Sequence, residues 1–220
     1  MDTDRLIDNL VADLTPVRPL PAPWRRVFWW LAIAIPVVAL IAVVMGLRPD
    51  LPEKLADPSF AGQEVAMLLT AALAAWAAMS AVVPGTPRWV FFAPAVPMLG
   101  WVGMMGAQCW EDWTRWGSEG LAIAIDLKCV PAIAMAGVVP LATMIVMIRK
   151  GARFNSSVAV FWGTLAAAAL ANAGLRLFHT VDAGMMVIVW QFGTVLALTA
   201  GTTLLKDYVL PPAPAAPAMN

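Results

Sequence analysis

Charge is scarce in this 220-residue chain: Asp, Glu, Lys and Arg together make up 13% of it, against 61% apolar residues. A soluble domain carries about 25% charged residues, so a water-exposed globular fold is a poor match. Histidine occurs once, at His179, and cysteine twice, at Cys109 and Cys129. A single imidazole argues against bis-histidine haem, a His-rich zinc centre or a His-rich di-iron site. Neither cysteine belongs to a Cys-x-x-Cys motif. No catalytic triad, Walker loop or mid-span pair of carboxylates is readable, so no enzyme is expected. Formal net charge is zero, and direct nucleic-acid binding is not expected.

What fills the chain is apolar sequence of membrane-spanning length. A spanning helix needs roughly 20 apolar residues at a rise of about 1.5 Å each. Six segments qualify: 28–47, 64–83, 89–107, 129–148, 158–178 and 185–205. Backbone groups in lipid must bond within their own segment, which selects helices. Continuous apolar runs of this length do not fit the alternation of a membrane barrel. The expected fold is therefore all-α, a polytopic bundle of six transmembrane helices with a short N-terminal cytoplasmic amphipathic helix. Residues 1–24 are read as a cytoplasmic partner-binding segment, 25–206 as the transmembrane domain, and 207–220 as a disordered Pro/Ala-rich cytoplasmic tail. The links between spans are too short for a soluble catalytic domain. Pro84-Gly85-Thr86-Pro87-Arg88 reads as a tight turn. Pro36, Pro94, Pro97, Pro131 and Pro140 fall within the apolar stretches and suggest kinks.

Basic residues set the orientation. The N-terminal segment, the second and fourth links and the C-terminus hold Arg5, Arg18, Arg25, Arg26, Arg88, Arg149, Lys150, Arg153 and Lys206. The opposite side holds Arg48, Lys54, Arg115, Lys128 and Arg176. The excess places both termini in the cytoplasm by the positive-inside rule. No cleavable export signal is read, because the first apolar run starts near residue 28 and exceeds a secretory core in length. Arg25-Arg26 is read as the basic flank of a first helix rather than a twin-arginine signal.

The N-terminal segment has its own pattern. Leu6, Ile7, Leu10, Val11 and Leu14 recur at helical spacing, whereas Asp4, Arg5, Asp8 and Asp13 lie off that stripe. Thr3 is the expected cap of a helix over 4–14. So short a helix is marginal alone, and its stripe needs a surface: the bilayer, the bundle or a partner protein. Its acidic residues disfavour an anionic lipid surface. Pro16, Pro19, Pro21 and Pro23 follow and predict an extended spacer. Trp24, Trp29 and Trp30 mark the inner interface.

On the outer side, Trp110, Trp113 and Trp116 stand three apart and predict one flank of a short surface helix. They read as an aromatic belt or as part of a sensing cavity. Cys109 and Cys129 bracket the same loop. They have three open readings: a disulfide, a soft-metal site, or inert packing. A bridge would close about 20 residues, a constraint of about 3 kcal/mol in the chain-entropy picture. Asn172, Arg176 and His179 share one helical face near the end of the fifth span. Arg176 is expected to snorkel or to pair with Asp182 or Asp126. Gln191, inside the last span, reads as packing glue.

Several short motifs in this order resemble the NrsF-type membrane anti-sigma factors of bacteria. They are Thr3-Asp4-Arg5-Leu6-Ile7-Asp8-Asn9-Leu10, Asp13-Leu14-Thr15-Pro16-Val17 and Pro23-Trp24-Arg25-Arg26. Gly46-Leu47-Arg48-Pro49-Asp50-Leu51, Cys109-Trp110-Glu111-Asp112-Trp113, Cys129, and Arg149-Lys150-Gly151-Ala152 continue the resemblance over nearly the whole chain. It implies a six-span protein of the bacterial inner membrane that holds an extracytoplasmic-function sigma factor inactive. It also implies that the N-terminal stripe contacts that sigma factor, and that outer-side cysteines answer metal or oxidative stress. Cys129 matches one such position. Where the family often has His-Cys at the end of the fifth span, this chain has Phe178-His179. Cys109 and His179 are the candidates to stand in for the missing thiol. No resident cofactor is implied beyond transient soft-metal ligation at Cys129.

The alternative class is a small transporter or permease subunit, which predicts broken helices with polar groups meeting near the midplane. The spans contain prolines but few charges to meet there. Deletion of the N-terminal segment separates the two readings, since a transporter should tolerate it.

Overall fold

The computed structural model describes residues 3–12, 19–123, 129–152, 155–180 and 182–210. Among them there is no β-strand. Among the described residues six helices are long and apolar enough to cross a membrane: Pro23–Met45, Pro58–Ser80, Arg88–Leu121, Val130–Ile148, Ser156–Arg176 and Gly184–Leu204. The chain is a multi-pass helical membrane protein.

A first helix α1 spans Thr3–Ala12. It starts at Thr3 itself, and Asp13 and Leu14 lie outside the described residues. Helix α2, Pro23–Met45, opens with Pro23 in its first turn, where a missing N–H leaves no bond unmade. A short helix α3, Leu51–Ala56, leads into α4, Pro58–Ser80. The Asp57 side chain caps α4 by accepting from the Ser59 N–H at 2.9 Å. This start is earlier than the apolar run suggests, so Glu64 lies well inside the helix. A 3-10 turn, Arg88–Phe91, precedes α5, Ala95–Trp116. Helices α6, Cys129–Ile148, and α7, Ser156–Arg176, follow. The last span is α8, Gly184–Met186, a π-helical turn over Val187–Phe192, and α9, Gly193–Leu204. The expected tail begins with a further helical turn, α10, Lys206–Val209. Residues 211–220 lie outside the described residues.

Three expectations need correction. Trp110, Trp113 and Trp116 do not sit on a separate surface helix; α5 runs unbroken through Trp116. Continuing a formed helix adds one hydrogen bond per residue, whereas starting a new one requires a costly nucleus. Of the five prolines expected to kink spans, Pro36 and Pro140 are inside helices. Pro94 caps α5, and Pro97 and Pro131 lie in the first turns of α5 and α6. Those positions have no intrahelical acceptor to lose. Finally, among the described residues the ion-pair partner of Arg176 is Glu64 of α4 rather than Asp182; Asp126, the other expected partner, lies outside the described residues.

Helix α7 is the centre of the bundle and packs on α2, α4, α6 and α9. Its sequence explains the position. Ala166-Ala167-Ala168-Ala169 and Gly163, Ala171, Ala173 and Gly174 are all buried, and small side chains let neighbouring backbones approach. At Gly174 the approach is extreme: a Cβ there would lie 2.1 Å from Val38 Cγ1 of α2. Helix α2 is also tied to α6 by the buried Trp30, whose Nε1–H donates to the Pro140 carbonyl at 2.9 Å.

Candidate functional site

The charged side chains of the bundle gather at its two ends. At the end where α2 begins, Arg26 is 4% exposed. Its Nη1 donates to the Met79 carbonyl at 3.1 Å, and its Nη2 donates to the Met147 carbonyl. Both carbonyls belong to the last turns of their helices, α4 and α6. A buried cation there meets two helix C-termini, where the backbone dipoles favour positive charge. Arg149 does the same for α10, donating from Nε and Nη2 to the Val209 carbonyl at 3.0 and 2.7 Å. Thr86 turns back on α4 and donates to Ser80 or Val83 carbonyls at 2.8 and 3.0 Å.

Arg26 thus anchors α2 one turn after the prolines that lead in from α1. On α1, Ile7 and Val11 are 52% and 58% exposed. Leu6 and Leu10 lie on the same helix, and Leu14 lies outside the described residues. An apolar pair four residues apart on one helical face is thereby open to solvent or to a partner.

The far end carries a network that sequence patterning missed. Arg48, 4% exposed, follows α2. It donates to Asp50 at 2.7 and 2.9 Å and to Asp182 at 2.9 and 2.6 Å. Its Nη1 also reaches the His179 carbonyl at 3.3 Å. Lys54 Nζ joins Asp182 at 3.1 Å. Burial pushes the Asp182 carboxyl up, but the Arg48 and Lys54 hydrogen bonds outweigh it and leave the group below the usual carboxylate range. The hydrogen bond from Arg48 holds the Asp50 carboxyl down as well. In return, Asp182 first and Asp50 second raise the Arg48 guanidinium above its ordinary value.

Beside it lies Arg176, 2% exposed, with Nη1 donating to Gln63 Oε1 at 2.6 Å. Arg176 Nε and Glu64 Oε1 are 3.3 Å apart without the alignment of a hydrogen bond. The Phe60 ring stacks under both guanidinium groups, 4.4 Å from Arg176 and 5.5 Å from Arg48. Gln63 Nε2 donates to Gln108 Oε1 at 3.2 Å, and Gln108 Nε2 donates to the Asp182 carbonyl at 2.6 Å. The links after α2 and α7 and the helices α4 and α5 are therefore joined through side chains. A polar cavity of ≈ 370 Å³ opens between them. The available signal was recurrence: Arg48, Lys54, Glu64, Arg176 and Asp182 all stand near span ends on the same side.

The expected sensor residues are carried by three different elements. Cys109 is a half-buried free cysteine on α5. The disulfide left open by the sequence is not formed in this structure. Gly184 packs against it so closely that a Cβ would sit 2.9 Å from Cys109 Sγ. Cys129 opens α6. His179 lies beyond the end of α7, in the link to α8, and its N–H donates to the Leu175 carbonyl at 2.9 Å. Asn172 is fully buried, with Nδ2 3.1 Å from Met67 Sδ. Among the described residues no group of three or more His, Cys, Asp or Glu side chains is arranged to hold a metal. Gln191 is buried within the π-helical turn, and its Oε1 has no hydrogen-bond partner among the described residues.

Residues 10–210 match the family model described as NrsF, negative regulator of sigma F. The chain belongs to the NrsF family. No curated protein and no solved structure matched it. Membership implies negative regulation of a sigma factor and hence a sigma-factor partner. Both anchors fall within the NrsF match: Arg26 at the start of α2 and the Arg48 network at the far end. The match begins at Leu10, so most of α1 precedes it.

Proposed function

We propose that this NrsF-family protein is an anti-sigma factor of the bacterial inner membrane, with both termini cytoplasmic. It holds an extracytoplasmic-function sigma factor inactive through its N-terminal segment. The stripe Leu6, Ile7, Leu10, Val11 and Leu14 enters an apolar groove on the sigma factor, a helix-in-groove mode. The observation that carries this reading is the exposure of Ile7 and Val11 on α1, in a family of negative regulators of a sigma factor. The acidic residues of α1 suit a partner protein better than an anionic membrane. Residues 1–24 are the binding segment, 25–206 the membrane domain, and the protein acts by binding rather than by catalysis.

Release follows an envelope, metal or redox stress signal received at the far end. The candidates for reception are Cys129, with Cys109 and His179 beside it in sequence logic. A change there must favour a second packing of the bundle that binds the sigma factor less well; equal affinity in both states would pass no signal. Arg26 is suited to relay it, since it joins the base of the α1 spacer to α4 and α6. The test is capture of the neighbouring-gene sigma factor by the full protein in detergent. Wild type should retain it and Leu10→Asp should not. Capture that survives Leu10→Asp would remove the N-terminal segment from the interface.

A further inference from the structure

The anti-sigma reading leaves the polar cavity at the far end without an assigned role. Its volume of ≈ 370 Å³ falls in the roughly 300–1,000 Å³ range of small-molecule sites. Its charges sort by depth. Arg176 lies deepest, 2% exposed, stacked on Phe60 and bonded through Nη1 to Gln63; its Nε, 3.3 Å from Glu64 Oε1, makes no hydrogen bond among the described residues. Two other lining cations are taken up by carboxylates of the same wall: Lys54 by Asp182 at 3.1 Å and Arg115 by Glu111. Two lining carboxylates are not matched in this way among the described residues. Asp57 accepts from the Ser59 N–H at 2.9 Å, and Asp112 accepts from the Gly184 N–H at 3.4 Å. The cavity thus has a buried guanidinium inside and carboxylates of opposite sign toward its mouth.

We propose that this cavity is a binding site for a small water-soluble zwitterion, its acidic group toward Arg176 and its ammonium between Asp57 and Asp112. A planar guanidinium presents paired donors to a carboxylate or phosphate, and an ammonium is matched by acceptor-only carboxylates. A zwitterionic lipid head group has the same chemistry. However, Phe60 is the one apolar side chain among the described residues lining the cavity, so they offer an acyl chain no apolar exit beside the head group. The soluble source is the assignment. Use of the site as the input of the switch rests on the anti-sigma reading; binding itself does not, so either can fail alone.

The test is calorimetry on the full-length protein in detergent, titrated with the ω-amino acids from glycine to 6-aminohexanoate. Acetate and propylamine serve as single-charge controls. One chain length should bind about ten-fold more tightly than either control, the value of one added charge-assisted contact. The double variant Asp57→Asn/Asp112→Asn should lose that advantage, keep acetate binding unchanged and keep its unfolding temperature, because Asn also caps α4. No saturable binding by any member of the series would overturn the proposal. So would equal binding of acetate, which marks an anion site only, or an unaltered double variant. Repeating the titration in nanodiscs separates the sources. Binding that disappears in phosphatidylethanolamine but persists in phosphatidylglycerol would reassign the site to a lipid head group.

Discussion

Arg48 and Asp182 lie 134 positions apart, yet face each other through two hydrogen bonds of 2.9 and 2.6 Å. The contact fastens the link after α2 to the link after α7. Arg48 is buried, so removing its main partner leaves its charge to Asp50 and the His179 carbonyl. Asp182→Asn should therefore destabilise the bundle by about 1.5–3 kcal/mol, the worth of a hydrogen bond to a charged group. Unfolding in detergent measures this. Replacing both residues with apolar ones should recover much of the loss; failure to recover would show that the pair supplies more than compensation for burial.

The pH dependence of that clasp follows from its sign. Asp182 and Asp50 are both held below the ordinary carboxylate range. Their contribution is complete above the unfolded value of about 3.9 and is lost as pH falls through the lower folded values. Thermal stability attributable to the clasp should be flat from neutral pH down to the ordinary carboxylate range and fall only below it. A stability step near pH 6 or 7 that Asp182→Asn abolishes would contradict the assignment.

On the N-terminal helix, Ile7 and Val11 are exposed, so a charged substitution there does not disturb a packed core. Ile7→Asp should leave the protein folded and weaken sigma-factor capture by about 2 kcal/mol or more, near 30-fold, if the position is a hot spot. Ile7→Leu should keep capture. A reporter for the sigma factor would rise in the first variant and stay low in the second.

Cys129 separates sensing from holding. Cys129→Ser should blunt induction by metal or oxidant while leaving the sigma factor bound at rest. An unchanged response, with normal protein levels, would remove this thiol from the sensor and shift attention to Cys109.

Close packing of α2 on α7 makes a fourth residue informative. Gly174→Ala would place a Cβ 2.1 Å from Val38 Cγ1 and should cost about 1–3 kcal/mol by overpacking. Val38→Ala added to it should restore most of the stability. Absence of rescue would mean that the two helices do not approach at this point in the membrane.

The sequence by itself determined the membrane character, the six helices and the family. Each depends on local apolar length or on residue order, and a helix in lipid must satisfy its own backbone. It also marked the apolar stripe of α1, because helical period is a local property. The tertiary structure alone decided which charges meet. Arg48 and Asp182, or Arg176 and Glu64, are separated by whole spans, and no periodicity links them. The sequence expectation for Arg176 looked to Asp126 or to Asp182, and only Asp182 is near it in the chain; the bundle brings α4 beside α7 and supplies Glu64 and Gln63. The prolines likewise needed the three-dimensional boundaries. Whether Pro94, Pro97 and Pro131 bend a helix or begin one depends on where its first hydrogen bond falls. That is set by packing and capping at the end of the span, and hydropathy alone does not specify it.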